Sequence, residues 1–228
     1  MNFFLQISSR PNYPLYFDFS NNVDVPSSFC ADLRSGVYIQ YPSSPLIYCD
    51  SENSSVSFDR LLSYDVLNTV GGGILVSNKV KEVIEDNFLG EVQFFDAIFS
   101  FKGKKCNAYT TMNICNKIEC YDMDKSIFTI DSIDGSYHFD KRVLIDSPLE
   151  EYGINYNIVR CSLDNEIVVS DKFKKVIMDN KIKCMSFIKN ELDFSCQTSV
   201  IFIVFKNYII KINLNLDIST SRKSMIRL

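Results

Sequence analysis

One fourteen-residue pattern of apolar and polar positions occurs twice in the chain. Ile74-Leu75-Val76-Ser77-Asn78-Lys79-Val80-Lys81-Glu82-Val83-Ile84-Glu85-Asp86-Asn87 returns 93 residues later as Ile167-Val168-Val169-Ser170-Asp171-Lys172-Phe173-Lys174-Lys175-Val176-Ile177-Met178-Asp179-Asn180, with nine of the fourteen positions identical. Three apolar residues predict a short buried strand, and the serine after them suits a helix N-cap. Val80, Val83 and Ile84, like Phe173, Val176 and Ile177, fall at i, i+3 and i+4 and make one apolar stripe. The pattern predicts helices over about 78–87 and 171–180, each ending on an asparagine suited to a left-handed C-terminal position. Lys172, Lys174 and Lys175 run against the dipole at the start of the second helix. Extended runs follow both helices, Gly90 to Phe95 and Lys183 to Ile188.

Elsewhere the pattern is that of strands. Phe94–Phe101 and Cys106–Ile114 flank Lys102-Gly103-Lys104, a hairpin candidate, and Ser126–Ile130 and Tyr137–Ile145 flank the turn dipeptide Asp134-Gly135. Val200–Phe205 and Tyr208–Ile218 flank Lys206-Asn207, the second run alternating apolar and polar as a strand with one wet face does. Val37-Tyr38-Ile39-Gln40-Tyr41 is a further extended run, and Phe58 to Leu67 can hold a short helix. Gly71-Gly72-Gly73 leads into a strand instead of a helix, which fits a hinge or a close backbone crossing and not a phosphate loop. Arg222 to Arg227 has the character of a solvated tail. The fold class expected is α+β: a mostly antiparallel sheet with two short serine-capped helices in a repeated strand–helix–strand unit. A loop-rich N-terminal region, 1–70, is expected to pack on a core of 71–228, making one cooperative domain.

Composition narrows the class without naming it. The chain has 228 residues, 46% hydrophobic and 23% charged, enough apolar area to fold without cofactor or staple. A net charge of −4 argues against a general nucleic-acid binder. All of that excess lies before residue 78, where three arginines face seven carboxylates. This is either a lysine-poor, loop-rich stretch or an acidic face that speeds encounter with a basic partner. No signal peptide or spanning segment is recognisable, so the cytoplasm is the expected compartment. Eight cysteines form no C-x-x-C pair, and with one histidine in the chain the favoured reading is buried reduced thiols without metal.

Candidate chemistry is sparse. His138 and Asp140 would share a strand face, but no nucleophile motif accompanies them. Asp122-x-Asp124 and Asp131-x-x-Asp134 could hold a cation, though such pairs more often cap turns, and Asp122 to Ser126 reads as one helical turn. Glu150-Glu151, in a loop bounded by Pro148, offers an exposed acidic pair for a basic partner.

The order of elements from Val76-Ser77 onward resembles a bacterial family of immunity proteins from polymorphic-toxin systems. The resemblance rests on Ser77 to Asn87, then Tyr109-Thr110-Thr111-Met112-Asn113-Ile114, then Asp122-Met123-Asp124-Lys125-Ser126, then Ser170 to Asn180. It departs at Lys183-Cys184-Met185, where the family pattern has a glycine followed by an apolar strand. The resemblance implies a cytoplasmic, non-enzymatic antitoxin that binds a cognate toxin domain encoded by a neighbouring gene, with no nucleic acid, membrane or cofactor involved. The alternatives are a small metal-dependent hydrolase or nuclease using Asp122, Asp124, Asp131 or His138, and a non-inhibitory adaptor.

Overall fold

The computed structural model describes residues 1–7, 16–18, 28–40, 42, 45–50, 56–69, 73–189, 200–205 and 208–213. The chain divides into two compact units, Met1–Glu191 and Leu192–Leu228. The first unit begins with β1 (Asn2–Ile7), β2 (Tyr16–Asp18), α1 (Ser28–Ser35), β3 (Leu46–Asp50), α2 (Phe58–Leu61) and β4 (Val66–Thr69). It continues with β5 (Ile74–Ser77), α3 (Asn78–Asn87), β6 (Gln93–Phe101), β7 (Lys104–Cys106), β8 (Tyr109–Asn113) and β9 (Lys117–Ile118). Then come β10 (Ile127–Ile130), β11 (Tyr137–Lys141), β12 (Glu150–Glu151), β13 (Ile154–Asn155) and β14 (Ile158–Cys161). The unit ends with β15 (Ile167–Ser170), α4 (Asp171–Asp179) and β16 (Met185–Ile188). The second unit holds β17 (Val200–Phe205) and β18 (Tyr208–Asn213), paired antiparallel from Phe205–Tyr208 to Val200–Asn213. Residues 214–218 and the basic 222–227 stretch lie outside the described residues. The fold is α+β, with mostly antiparallel sheets and short helices.

Two sheets organise the first unit. One runs β16-β1-β15-β14-β9, all antiparallel except β14–β9. The other runs β3-β2-β4-β5-β8-β6-β7, and β3 also pairs in parallel with β6. That extra pairing returns the order to its start, so six strands close a circuit with β7 outside it. Closure leaves those strands little open edge to template aggregation.

Burial of both sheet faces explains why three consecutive apolar residues precede each serine. Leu75 packs in one core with Tyr48, Leu67, Phe95 and Phe99, whereas its neighbours Ile74 and Val76 pack in another with both helices. In β15, Val169 joins that same second core and Val168 a third. Strands buried on both faces read as continuous apolar runs. Phe3-Phe4-Leu5 follows the rule in β1: Phe3 and Leu5 face the helices' core and Phe4 the third.

Both helices start where the pattern places them. Ser77 Oγ accepts from the Val80 amide at 3.5 Å, and Ser170 Oγ accepts from the Phe173 amide at 3.2 Å. Val80, Ile84, Phe173 and Ile177 are buried together, while Val83 and Val176 pack only at the margin. The Phe88 and Phe173 rings lie 5.1 Å apart and join the helices. The expected lysine conflict is relieved by aromatic faces: Lys172 Nζ lies 5.4 Å from the Phe88 ring centre and Lys174 Nζ 3.9 Å from that of Phe3. A polar relay also ties the two halves. Glu91 accepts from the Asn157 amide, the Asn157 side chain (2.7 Å) and the Ile158 amide (3.1 Å). Ser170 Oγ donates to Asn157 Oδ1 at 2.9 Å.

Some expectations are corrected. Asn87 and Asn180 are not in left-handed conformations; each side-chain amide donates to the carbonyl four residues back, Val83 or Val176. The left-handed step falls at Lys181, φ 52°. Over 37–40 the chain forms no strand. The buried Gln93 amide serves Ile39 instead, accepting from its N–H (3.0 Å) and donating to its carbonyl (2.8 Å). Cys106–Ile114 is two strands, β7 and β8. Tyr137–Ile145 ends as a strand at Lys141, leaving Leu144 a lone bridge to Tyr121. At Gly73 the need for glycine comes from its φ of 72° and from a side chain instead of a backbone crossing: an added Cβ would come within 2.5 Å of Thr111 Cγ2.

Candidate functional site

The third core supports two hairpins that belong to neither large sheet. Cys120, Tyr121, Leu144, Leu149, Val159 and Cys161 form its buried centre, with Phe139 and Tyr156 packed against it. The β10–β11 hairpin leaves this core through Phe139, and the β12–β13 hairpin sits between Leu149 and Tyr156. The Tyr156 amide closes the second by donating to the Leu149 carbonyl at 2.8 Å. Beneath the first, the Tyr121 hydroxyl donates to Asp164 (2.8 Å to Oδ2), and Arg142 Nε meets the same oxygen at 3.0 Å. Burial, then the nearby Cys161 and the Asp164 charge, push the Tyr121 hydroxyl far above its ordinary range, so it stays a donor. Cys120 and Cys161, fully buried here, are thiols, as are Cys106, Cys115 and Cys184.

The β10–β11 hairpin presents an aromatic ladder. Phe139 stacks edge-on to Tyr121 at 5.0 Å; Phe128 lies 5.6 Å from Phe139 and 5.4 Å from Tyr137. Beyond the rings the apolar row continues outward into water, with Ile130 opposite Tyr137 at 55% exposure and Ile133 in the turn at 94%. On the other hairpin Tyr152 is 94% exposed and Ile154 56%. A two-residue turn with Tyr152 and Gly153 at φ 52° and 78° shapes it, as positive-φ hairpin turns do.

Charge completes the description. Residues 119–156 carry nine carboxylates against three basic side chains, a larger local excess than the whole chain's −4. Counting only the chain's two ends hides it, because lysines before and after cancel it. Glu150 and Glu151 lie in β12, both exposed, in a short hairpin and not the loop expected after Pro148.

The other sequence candidates are structural or scattered. Asp122 accepts from Lys125 Nζ, and its carbonyl takes the Lys125 amide (3.2 Å), the Ser126 amide (2.9 Å) and Ser126 Oγ (2.8 Å). This is the helical turn expected there. The Lys125 contact holds the half-buried Asp122 carboxyl below its usual range. Asp131 and Asp134 cap the hairpin turn, accepting from the Ile133 (2.7 Å) and Ser136 (2.9 Å) amides. The Ser136 contacts lower the Asp134 carboxyl. His138 Nε2 stands 3.9 Å from Asp131 Oδ2 across the hairpin and is open to solvent, an arrangement with no enclosed nucleophile. Among the described residues no three His, Cys, Asp or Glu side chains converge as metal ligands would. A cleft of about 490 Å³ beside α3 gathers Lys81, Glu85 and Asp96 with proline and apolar walls, and its described lining supplies no hydroxyl, thiol or imidazole side chain. No described helix is long and apolar enough to cross a membrane.

No curated protein matches the chain. A family match, however, covers residues 5–191, nearly the whole of the first unit and all of the hairpin region just described. The match is to the Immunity protein family (Imm11), and the chain belongs to that family.

Proposed function

We propose that this protein confers immunity by binding a cognate toxin domain, encoded by a neighbouring gene, and blocking it without turnover. The observation that carries the reading is the Imm11 match across residues 5–191. The site's chemistry supports it: carboxylates that could have served a hydrolase instead cap turns, and exposed apolar residues stand on acidic hairpins as binding residues do. Such a role needs a rigid scaffold and a complementary patch of about 800 Å² per partner. It calls for no cofactor, nucleic acid or membrane, and it acts in the cytoplasm, where a toxin made by the cell or its kin does harm. Glu150 and Glu151 contribute to the patch as long-range attraction for a basic toxin.

The test is co-expression of the neighbouring toxin domain with and without this protein, with co-purification of the pair. Rescue of growth together with a stable complex supports the reading. Absence of both overturns it, as does metal-dependent hydrolysis by the purified protein. A complex that forms without rescue would make the protein an adaptor. Reversing Glu150 and Glu151 to Lys should slow association, and more so at low salt.

A further inference from the structure

We propose that the β10–β11 hairpin is the principal toxin-engaging element, inserting Ile130 and Ile133 into an apolar-floored hollow rimmed by lysine and arginine on the toxin. This rests on the functional reading above and adds which part of the molecule makes the contact and what kind of surface receives it.

Three observations converge on this hairpin. Its apolar row is continuous from the core to the tip: Tyr121, Phe139, Phe128 and Tyr137 are linked by ring contacts of 5.0–5.6 Å, and Ile130 and Ile133 extend the row at 55% and 94% exposure. Folding gains nothing from an isoleucine left in water at a hairpin turn, whereas a partner that covers it recovers most of its transfer free energy. Second, among the described residues the hairpin pairs only with itself, and it is held at its base by the Tyr121–Asp164–Arg142 cluster. It therefore projects as a preformed shape, and little ordering entropy is lost on docking. Third, charge selects the occupant. Asp131 and Asp134 cap the turn at the end of the row, and Asp140 is exposed on the face of β11 opposite Phe139, all within the 119–156 stretch, where carboxylates outnumber basic groups nine to three. An acidic partner would be repelled and a neutral one would leave those carboxylates desolvated without counter-charges, so the receiving surface is basic around an apolar centre. Tyr152 and Ile154 on the β12–β13 hairpin, beside Glu150 and Glu151, share both features and form a secondary contact.

The experiment uses the full chain and the purified toxin domain encoded beside it, inactivated by substitution. Binding is measured by calorimetry for the unmodified protein and for the double variant Ile130→Asp/Ile133→Asp. Both side chains are exposed, so the melting temperature should hold while affinity falls by at least about 30-fold, the loss expected for a binding hot spot. Hydrogen exchange on the unmodified complex provides a readout independent of the variant's folding: amides over 127–140 should slow on toxin binding. Full affinity in a folded double variant, or protection confined to other segments, would overturn the hairpin assignment while leaving the immunity function standing. If the unmodified protein does not bind the toxin, the functional reading itself falls. Asp140→Lys should reduce the association rate several-fold at low salt and little at high salt. An unchanged rate at low salt would overturn the basic character assigned to the toxin surface.

Discussion

Isoleucines at two places in this molecule meet opposite fates. In the core shared by α3 and α4, Ile84 and Ile177 are covered on every side by strands, by the partner helix and by the Phe88–Phe173 ring pair. On the β10–β11 hairpin, Ile130 at the end of β10 and Ile133 in the turn stay in water. The helix region is complete by itself, with Lys172 and Lys174 over aromatic faces, the Ser170 cap tied through Asn157 to Glu91 and the Ser77 cap in contact with Asp65. The hairpin region is complete only at its base. Apolar area unused by folding, close to like charges, is the surface that the proposed toxin contact would cover.

Substitutions test that contrast. The largest effect should come from Phe173→Ala, which empties a fully buried ring site between the helices and should cost about 3–5 kcal/mol of unfolding free energy in denaturant titrations. Ile133→Ala, in contrast, should change stability by less than about 0.5 kcal/mol. A comparable loss at both sites would refute the distinction. Within the stripe, Ile84→Asp should unfold the protein outright, while Val83→Asp, at the margin of the core, should leave a measurable melt at lower temperature.

Glu91→Ala comes next. It strands the Asn157 and Ile158 amides in a partly buried setting, and a cost of about 1–3 kcal/mol is expected. Amide exchange should rise in β14 and at the start of α4 ahead of other segments. Equal acceleration in β10 and β11 would mean that the relay supports the hairpins as well as the helices.

The cap serines should rank unequally. Ser170→Ala loses both the 3.2 Å cap and the bond to Asn157, so about 1 kcal/mol or somewhat more should disappear from the melting free energy. Ser77, with a 3.5 Å cap and a 3.4 Å contact to Asp65, should cost less on the same substitution. The reverse order would show that the two helix starts are held by different forces than their geometry indicates. At the bottom of the scale, Glu85→Ala removes only an exposed 3.9 Å pairing with Lys81, and a shift of a few tenths of a kcal/mol in chemical denaturation is the ceiling.

Local physics made much of this chain legible in advance. Apolar triplets, cap serines and i, i+3, i+4 stripes are properties of short segments, and so are turn dipeptides such as Asp134-Gly135, where Gly135 takes φ 74°. Those placed α3, α4 and the β10–β11 hairpin close to their observed bounds. Where a distant side chain competes, the same reading errs. Gln93 satisfies the backbone of Ile39, fifty-four residues away, and thereby replaces the ladder that Val37–Tyr41 was expected to make. Asn87 and Asn180 follow a local alternative, bonding back to their own helix in place of a left-handed turn.

The surface separates the two levels further. Sequence determined that residues 119–156 are acidic and that isoleucine and tyrosine are interspersed there, since composition does not depend on folding. It could not decide which of those apolar residues fold inward, because a two-residue period assigns alternate faces without saying which face meets a core. Only the tertiary structure decided that Phe139 turns onto Tyr121 while Ile130 and Ile133 meet solvent, and that Asp131 and Asp134 cap a turn instead of gathering a cation. Burial is a relation between segments far apart in the chain, fixed here by Asp164 and Arg142 closing over the base of the hairpin, and no window of neighbouring residues contains it.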